Sequence, residues 1–244
     1  MLRISRRELE VLSRKVLKQY LALCEAPVDR IDPIDFTEKM CGIKFCFCNL
    51  SFYNEMQGLY IHEAEKYGIT LEVWGKDGII ESCPTDSQTV FIDERLQSDE
   101  LTGLCNFTMM HEAAHRILKA IFPLDYNKPV TVRAVDSYSY NQFADRKVDD
   151  WYEWQANAFT SCLLLPRELI QKHMERVGLR GQIRLLNKIY APREYALFCT
   201  MADSLGVSKT ALSIRLDQMG LISRNDFRNP YALVDVYPDD EEVA

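Results

Sequence analysis

The sequence predicts an α+β fold that is mainly helical and contains a small antiparallel or mixed sheet in its first half. Two observations predict it. Long segments carry apolar residues every three or four positions, and three short runs between them are rich in β-branched and aromatic residues. With 244 residues and 47% hydrophobic content, the chain can bury the core of one large domain, or of one domain with a small appendage.

The first half begins with two predicted helices. Ser5 and Glu8 form the pattern of a capping box, which starts a helix over residues 5–24. Apolar residues recur along this helix at helical spacing, namely Leu9, Leu12, Val16, Tyr20 and Leu23. A shorter helix is predicted after Pro33 and ends near Gly42.

Three short runs that follow have the composition of strands. They are "IKFCF" at 43–47, "GITLEVW" at 68–74 and "TVFID" at 89–93. Gly, Asn, Asp and Pro bound these runs, and such residues are typical of turns. We expect the three strands to form one small sheet.

Helical spacing returns over residues 101–121 and stops before Pro123. The next segment, 123–149, is polar and tyrosine-rich with no sustained period, and loops of that length in compact domains are often functional. A further helix contains "WYEWQANAFTSCLLLP" and is broken by Pro166, which begins another helix that reaches about Val177.

The segment "MADSLGVSKTALSIRLDQMG" predicts a pair of helices that resembles a helix-turn-helix. Gly206 allows the sharp turn, Ser208 can cap the second helix, and Leu212 and Leu216 are expected to face inward. The positions expected to be exposed are Lys209, Thr210, Ser213 and Asp217, with Arg215, Arg224 and Arg228 nearby. These positions offer few basic side chains for contact with a DNA groove, so nucleic acid is only a secondary expectation as a partner.

Charge and cysteine content narrow the class of protein. A net charge of −7 disfavours a general binder of polyanions. No apolar run is long enough to cross a bilayer, and "MLRISRRELE" lacks the apolar core of a signal peptide, so we expect a cytoplasmic protein without a membrane partner. The eight cysteines are then expected to be reduced, and the Cys46 and Cys48 pair is interpreted as strand packing.

The stretch "FTMMHEAAHRIL" predicts a metal site inside the helix over 101–121. His111 and His115 lie one turn apart on one helix face, so both imidazoles can reach one ion. Glu112 is rotated by about 100° from His111, near enough to reach a water on that ion. The alternative interpretation is two core histidines on a packed helix.

A catalytic zinc site needs a third protein ligand and leaves a position open for water. The extended metzincin motif is excluded, because Leu118 and Ile121 stand where it requires Gly and His. The other two histidines, His62 and His173, have no companion pattern.

Glu153 is the best candidate for the third ligand. It lies on a helix that is otherwise almost entirely apolar, and a buried carboxylate needs a partner, which zinc would provide. Asn157, one turn further, could accept a hydrogen bond from the non-ligating nitrogen of His111 or His115. The alternative is a glutamate at the rim of a half-buried helix.

Together, "FTMMHEAAHRIL" and "EWQANAFTSCLLLP" resemble the ImmA/IrrE family of zinc metallopeptidases. That family pairs an HExxH helix with a second helix of the approximate pattern E-x-x-A-N-x-F-A-x-x-L-L-x-P. The matching residues are Glu153, Ala156, Asn157, Phe159, Leu164 and Pro166. Thr160 replaces the usual Ala, and Gln155 stands where a second Glu is common, which removes the main competitor of Glu153.

The resemblance implies a gluzincin-like peptidase, often carried by prophages or mobile elements, that cleaves a partner helix-turn-helix repressor. Residues 1–195 would form the zinc metallopeptidase domain, 196–228 the helix-turn-helix-like helices and 229–244 an acidic tail.

In the expected mechanism, Zn²⁺ is held by His111, His115 and Glu153, and Glu112 is the general base. Mn²⁺, Co²⁺ and Fe²⁺ remain alternative metals. Tyrosines of the long loop could stabilise an oxyanion or serve only in packing, namely Tyr126, Tyr138 and Tyr140. Two other functions remain open: a DNA-binding regulator with a structural metal, and a pseudoenzyme that binds a repressor without cutting it.

Overall fold

The computed structural model describes residues 3–50, 56–61, 68, 70–75, 77, 79–124, 130–134 and 148–222. It confirms the α+β class and divides the chain into two compact units. The first unit comprises Met1–Val28 and Asp32–Leu163, and the second comprises Asp29–Ile31 and Leu164–Ala244. The domain limits predicted at 195 and 228 stay predictions. Among the described residues, no helix combines the length and apolar content that crossing a bilayer requires.

Two helices open the first unit as predicted. Helix α1 is Arg6–Ala22, and its capping box is present, since Ser5 Oγ accepts from Glu8 N while the Glu8 carboxylate accepts from Ser5 N. Helix α2 is Pro33–Cys41 and ends at Gly42, whose φ of 62° is the left-handed conformation that glycine tolerates. The two helices are joined by a 2.6 Å hydrogen bond from the Tyr20 hydroxyl to Asp35.

Six strands occur in the part of the chain that the structure describes. They are β1 (Lys44–Cys48), β2 (Met56–Ile61), β3 (Thr70–Trp74), β4 (Ile80–Pro84), β5 (Thr89–Asp93) and β6 (Val130–Ala134). Four of them form a sheet in the order β1-β5-β2-β6, in which β1 and β5 are parallel and the other pairs antiparallel. The sheet is therefore mixed.

The expectation of one sheet built from three predicted strands was wrong. Two of them, β1 and β5, do pair, but β3 pairs with β4 in a separate two-stranded hairpin. Strands β2, β4 and β6 were not predicted from the sequence. Gln57 and Gly58 interrupt the apolar run of β2, and β6 lies inside 123–149, which was interpreted as loop.

The longest helix of the first unit, α3, is Thr102–Ile121 and follows two short 3₁₀ turns. It packs beside α2 and against β2, β5 and β6 of the sheet. Gly58 of β2 faces this helix, because a Cβ placed there would contact Thr108 and Glu112. Leu59, the next residue, lies on the opposite face with its cross-strand neighbour Phe91.

The last helix of the first unit, α4, is Val148–Leu164, and its inner face buries Ala156, Phe159 and Leu163 completely. The N-terminal segment lies along α4. Gln155 Oε1 accepts a 3.1 Å hydrogen bond from the Ile4 backbone, and Arg3 lies over the Trp151 ring. This role of Gln155 was not predicted.

The second unit contains α5 (Arg167–Val177), α6 (Pro192–Leu205) and α7 (Lys209–Gln218). Pro166 precedes α5, which confirms the predicted break. Gly206, with a φ of 68°, ends α6, and Ser208 Oγ caps α7 by accepting from Ala211 N. The predicted pair of C-terminal helices is therefore present.

The predicted exposed face of α7 needs a correction. Leu212 and Leu216 are buried as expected, but Ser213 is also buried, and Arg215 is only 1% exposed. Arg215 Nε donates a 3.0 Å hydrogen bond to the Leu165 carbonyl oxygen. The buried face of α7 is thus wider than a stripe of two leucines. The other arginines considered there, Arg224 and Arg228, and the acidic tail lie outside the described residues.

Candidate metal centre

The two histidines of α3 meet as their spacing predicts. His111 Nε2 and His115 Nε2 are 3.0 Å apart, and the rings meet edge-on with an interplanar angle of 80°. Both side chains are fully buried. The helix therefore presents two imidazole nitrogens to one point.

Glu153 of α4 brings its carboxylate to the same point. Its Oε2 lies 3.1 Å from His111 Nε2, and its Oε1 lies 3.5 Å from His115 Nε2. The side chain keeps 21% exposure, so the cluster is open on the glutamate side. Within the described ranges, this is the one group of three His, Cys, Asp or Glu ligand atoms that all lie within 4.8 Å of one another.

The distances fit a metal ion. Ligand atoms held at about 2.0–2.1 Å in a tetrahedron around zinc are about 3.3 Å apart, and the three separations here run from 3.0 to 3.5 Å. Two imidazoles and one carboxylate form a donor set that zinc accepts, and Mn²⁺, Co²⁺ and Fe²⁺ accept it too. Three protein ligands leave one tetrahedral position for another group.

Electrostatics favour the ionised form of Glu153. Burial raises the pKa of this carboxyl, but the electrostatic interaction with His115 and the hydrogen bonds with His111 and His115 outweigh burial and leave the pKa well below its usual range. The carboxylate is the form that binds a metal ion, so the surroundings of Glu153 prepare it as a ligand.

Glu112 follows His111 on α3 and is fully buried, and its Oε1 lies near Gly58 of β2. The close approach of α3 to the sheet depends on Gly58, since a Cβ there would lie 2.8 Å from Thr108 Cγ2 and 3.3 Å from Glu112 Oε1. This role of Gly58 was not predicted from the sequence. The available signal was a single glycine inside the apolar run "MQGLYI", because glycine in a strand often marks a close approach.

The remaining candidates have different outcomes. Asn157 lies one turn after Glu153 and is partly buried, and its hydrogen bond to a histidine nitrogen stays a prediction. His173 belongs to the second unit, where its Nε2 donates to the backbone oxygen of Asp29 at 2.7 Å, which gives it a structural role. His62 and the three loop tyrosines (Tyr126, Tyr138 and Tyr140) lie outside the described residues.

No protein-family model matches this chain, and no curated protein is significantly similar to it. The resemblance of the two helices to ImmA/IrrE peptidases therefore remains an expectation from the sequence. Function is inferred instead from the arrangement of His111, Glu112, His115 and Glu153.

Proposed function

We propose that this chain is a zinc-dependent endopeptidase that cleaves a partner protein, and we expect that partner to be a helix-turn-helix repressor of a prophage or mobile element. One observation carries the proposal. Three ligand atoms from His111, His115 and Glu153 converge, and Glu112, the residue that follows His111 on the same helix, is also fully buried. Such a set of ligands and base is suited to hydrolysis of a peptide bond.

His111, His115 and Glu153 would hold the ion. Bound zinc supplies a Lewis acid that polarises a peptide carbonyl and lowers the pKa of water toward neutrality. The burial of both imidazoles fixes their ring positions, so the chain loses little freedom when the ion binds.

Glu112 would move the protons. Its carboxylate takes a proton from the attacking water and returns it to the leaving amine, and such transfers contribute about 10²–10⁴ in rate.

We propose the edge strand β6 as the place where the substrate chain binds. In the described part of the sheet, β6 pairs with β2 on one side, and it lies beside α3, which carries the metal ligands. An extended peptide could add to that edge through backbone hydrogen bonds. The other edge strand, β1, is followed by a bridge from Asn49 to Trp74 of the β3–β4 hairpin.

The two other functions receive less support. A structural zinc site closes with four protein ligands, and among the described His, Cys, Asp and Glu residues only three converge here. A site that served structure alone would also have no need of Glu112. Ser213 and Arg215, both considered for DNA contact, are buried.

The test is incubation of the zinc-loaded protein with a helix-turn-helix repressor of a prophage or mobile element. We expect one cut that depends on the metal, is abolished by a chelator, and is absent with the Glu112→Gln variant. Zinc returned after chelation should restore the cut. Stable binding of the repressor without a cut by the wild type would contradict the peptidase and favour a regulator that binds without cutting.

A further inference from the structure

Three cysteines lie together on the face of the sheet that points away from α3. Cys46 and Cys48 are two positions apart on β1, so they lie on the same face, and Cys46 is the cross-strand neighbour of Phe91. Cys83 comes from β4 of the separate hairpin. All three pack against one apolar cluster, whose buried members are Leu50, Leu59, Ile61 and Phe91.

Cys46 is the centre of this thiol cluster, which consists of Cys46, Cys48 and Cys83. Its thiol lies close enough to the thiols of Cys48 and Cys83 to raise the pKa of both. All three are free cysteines, and each keeps partial exposure. A thiol of the four-stranded sheet and a thiol of the β3–β4 hairpin therefore lie close together on the same apolar cluster.

The cluster is not arranged as a metal site. In the described portion of the chain, only the group of His111, His115 and Glu153 brings three such ligand atoms within 4.8 Å of one another. The three sulfurs therefore do not converge on one ion. Their contacts are pairwise through Cys46, which is the arrangement that a disulfide needs.

Backbone geometry disfavours one of the two possible pairs. Two residues at positions i and i+2 of a strand have Cα atoms about 6.6 Å apart, near the upper limit of about 6.8 Å for a disulfide. A bond between Cys46 and Cys48 would therefore strain β1. Cys83 reaches Cys46 from a different strand, so the fixed spacing along one strand does not apply to this pair.

We propose that Cys46 and Cys83 are a site of reversible oxidation, at which a two-electron oxidant such as hydrogen peroxide forms a disulfide between the sheet and the β3–β4 hairpin. One thiolate sulfur attacks a peroxide oxygen, which gives a sulfenic acid and one water. The second thiol then attacks that sulfur and releases another water. The two thiols lose two electrons and two protons, and the peroxide is reduced to two waters. This site does not depend on the proposed peptidase activity.

The surroundings of Cys83 make its thiol slow to react. Burial raises the pKa of Cys83 above its usual range, and contact with Cys46 raises it further. Burial also raises the pKa of the neighbouring Cys48 to about 12. Because the thiolate is the reactive form, these thiols stay reduced under brief exposure and oxidise when the oxidant persists.

The test is to treat the full-length protein with hydrogen peroxide, block the remaining thiols by alkylation, and map the digested protein by mass spectrometry. We expect a peptide pair joined through Cys46 and Cys83, lighter by two hydrogen atoms, that a reductant separates. The Cys83→Ser variant should lose the joined pair. Cys48→Ser should keep it, and so should the control Cys24→Ser, whose thiol bonds instead to the Tyr20 carbonyl at the end of α1.

Two results would overturn the proposal. One is a disulfide between Cys46 and Cys48 in the wild type, and the other is oxidation of Cys46 or Cys83 to sulfinic acid without any joined peptide. Both are read on the wild-type protein, so they do not depend on how the serine variants fold. Hydrogen exchange gives a second measurement, since the disulfide should slow exchange of the β3 and β4 amides, and unchanged exchange in the joined protein would also contradict the proposal.

Discussion

His111 and Glu153 are 42 positions apart in the sequence, yet His111 Nε2 and Glu153 Oε2 lie 3.1 Å apart. The contact joins α3 to α4, two helices whose apolar faces bury Met110, Ala114, Ala156 and Phe159 completely. Residues far apart in the sequence thus bring a carboxylate to a pair of imidazoles. The contact matters because the three groups together could hold a metal ion.

Removal of the third ligand should destroy the metal centre. In Glu153→Ala, we expect zinc affinity to fall by about 100-fold or more, because loss of even an outer partner of a ligand costs about 10–100-fold. Cleavage should be lost as well. Competition with a zinc chelator measures the affinity, and Glu168→Ala, exposed at the start of α5, should match the wild type. Wild-type affinity in Glu153→Ala would show that the third ligand is a different residue.

Replacement of the base should separate binding from chemistry. In Glu112→Gln, the ligands His111, His115 and Glu153 remain, so zinc content should equal that of the wild type. The cleavage rate should fall by about 10²–10⁴, the contribution of a positioned general base. Metal analysis and a time course of repressor cleavage measure the two quantities on one preparation. A variant that cleaves at the wild-type rate would exclude Glu112 as the base.

Gly58 should be needed for the packing of α3 on the sheet. In Gly58→Ala, the new methyl group would lie 2.8 Å from Thr108 Cγ2, and the overpacking should lower the free energy of unfolding by about 1–3 kcal/mol. Thr108→Ser removes that methyl but keeps the hydroxyl, so the double variant should recover most of the loss. Urea unfolding of the wild type, the two single variants and the double variant completes a double-mutant cycle. Additive losses in the double variant would mean that the two residues do not interact.

The buried Arg215 should stabilise the second unit. In Arg215→Met, the Leu165 carbonyl loses its 3.0 Å hydrogen bond from Arg215, and we expect the free energy of unfolding to fall by about 1–3 kcal/mol. Arg180→Met, an exposed control in the same unit, should have almost no effect. Titration of Arg215→Met with DNA tests the alternative interpretation, in which α7 contacts DNA. Weaker DNA binding at unchanged stability would show that Arg215 serves a nucleic-acid surface.

Asp29 should make the second unit sensitive to acid. Hydrogen bonds from Lys172 and then Arg176 lower the pKa of Asp29 to about 2. The pKa is lower in the folded state, so the stabilisation is complete above the unfolded value of about 3.9 and is lost as the pH falls toward 2. Asp29→Asn should unfold at lower urea concentration than wild type at neutral pH, and the difference should vanish near pH 2. Asp203→Asn, exposed on α6, is the control, and an equal pH dependence in both variants would contradict this role of Asp29.

Sequence reasoning succeeded where the determining interactions are local. Ser5 and Glu8 are three residues apart, and His111 and His115 are one helical turn apart, so the pattern itself fixes their geometry. Glu153 was found because a carboxylate is conspicuous on an apolar helix. In each case the signal lies within one element.

Sequence reasoning failed where distant segments decide the structure. Strands β2 and β6 acquire their conformation by pairing with each other and with β5, and strand propensity depends strongly on such context. Arg215 was expected near an exposed face because it is charged, but its partner, the Leu165 carbonyl, lies 50 positions away. Gln155 was considered only as a missing glutamate, whereas it binds the Ile4 backbone.

The most direct test of the metal centre is X-ray absorption at the zinc edge of the zinc-loaded protein. We predict nitrogen and oxygen neighbours at about 2.0–2.1 Å, with the outer-shell scattering of two imidazoles, as expected for zinc on His111, His115 and Glu153. Sulfur neighbours at about 2.3 Å would place the zinc on cysteines and contradict the account.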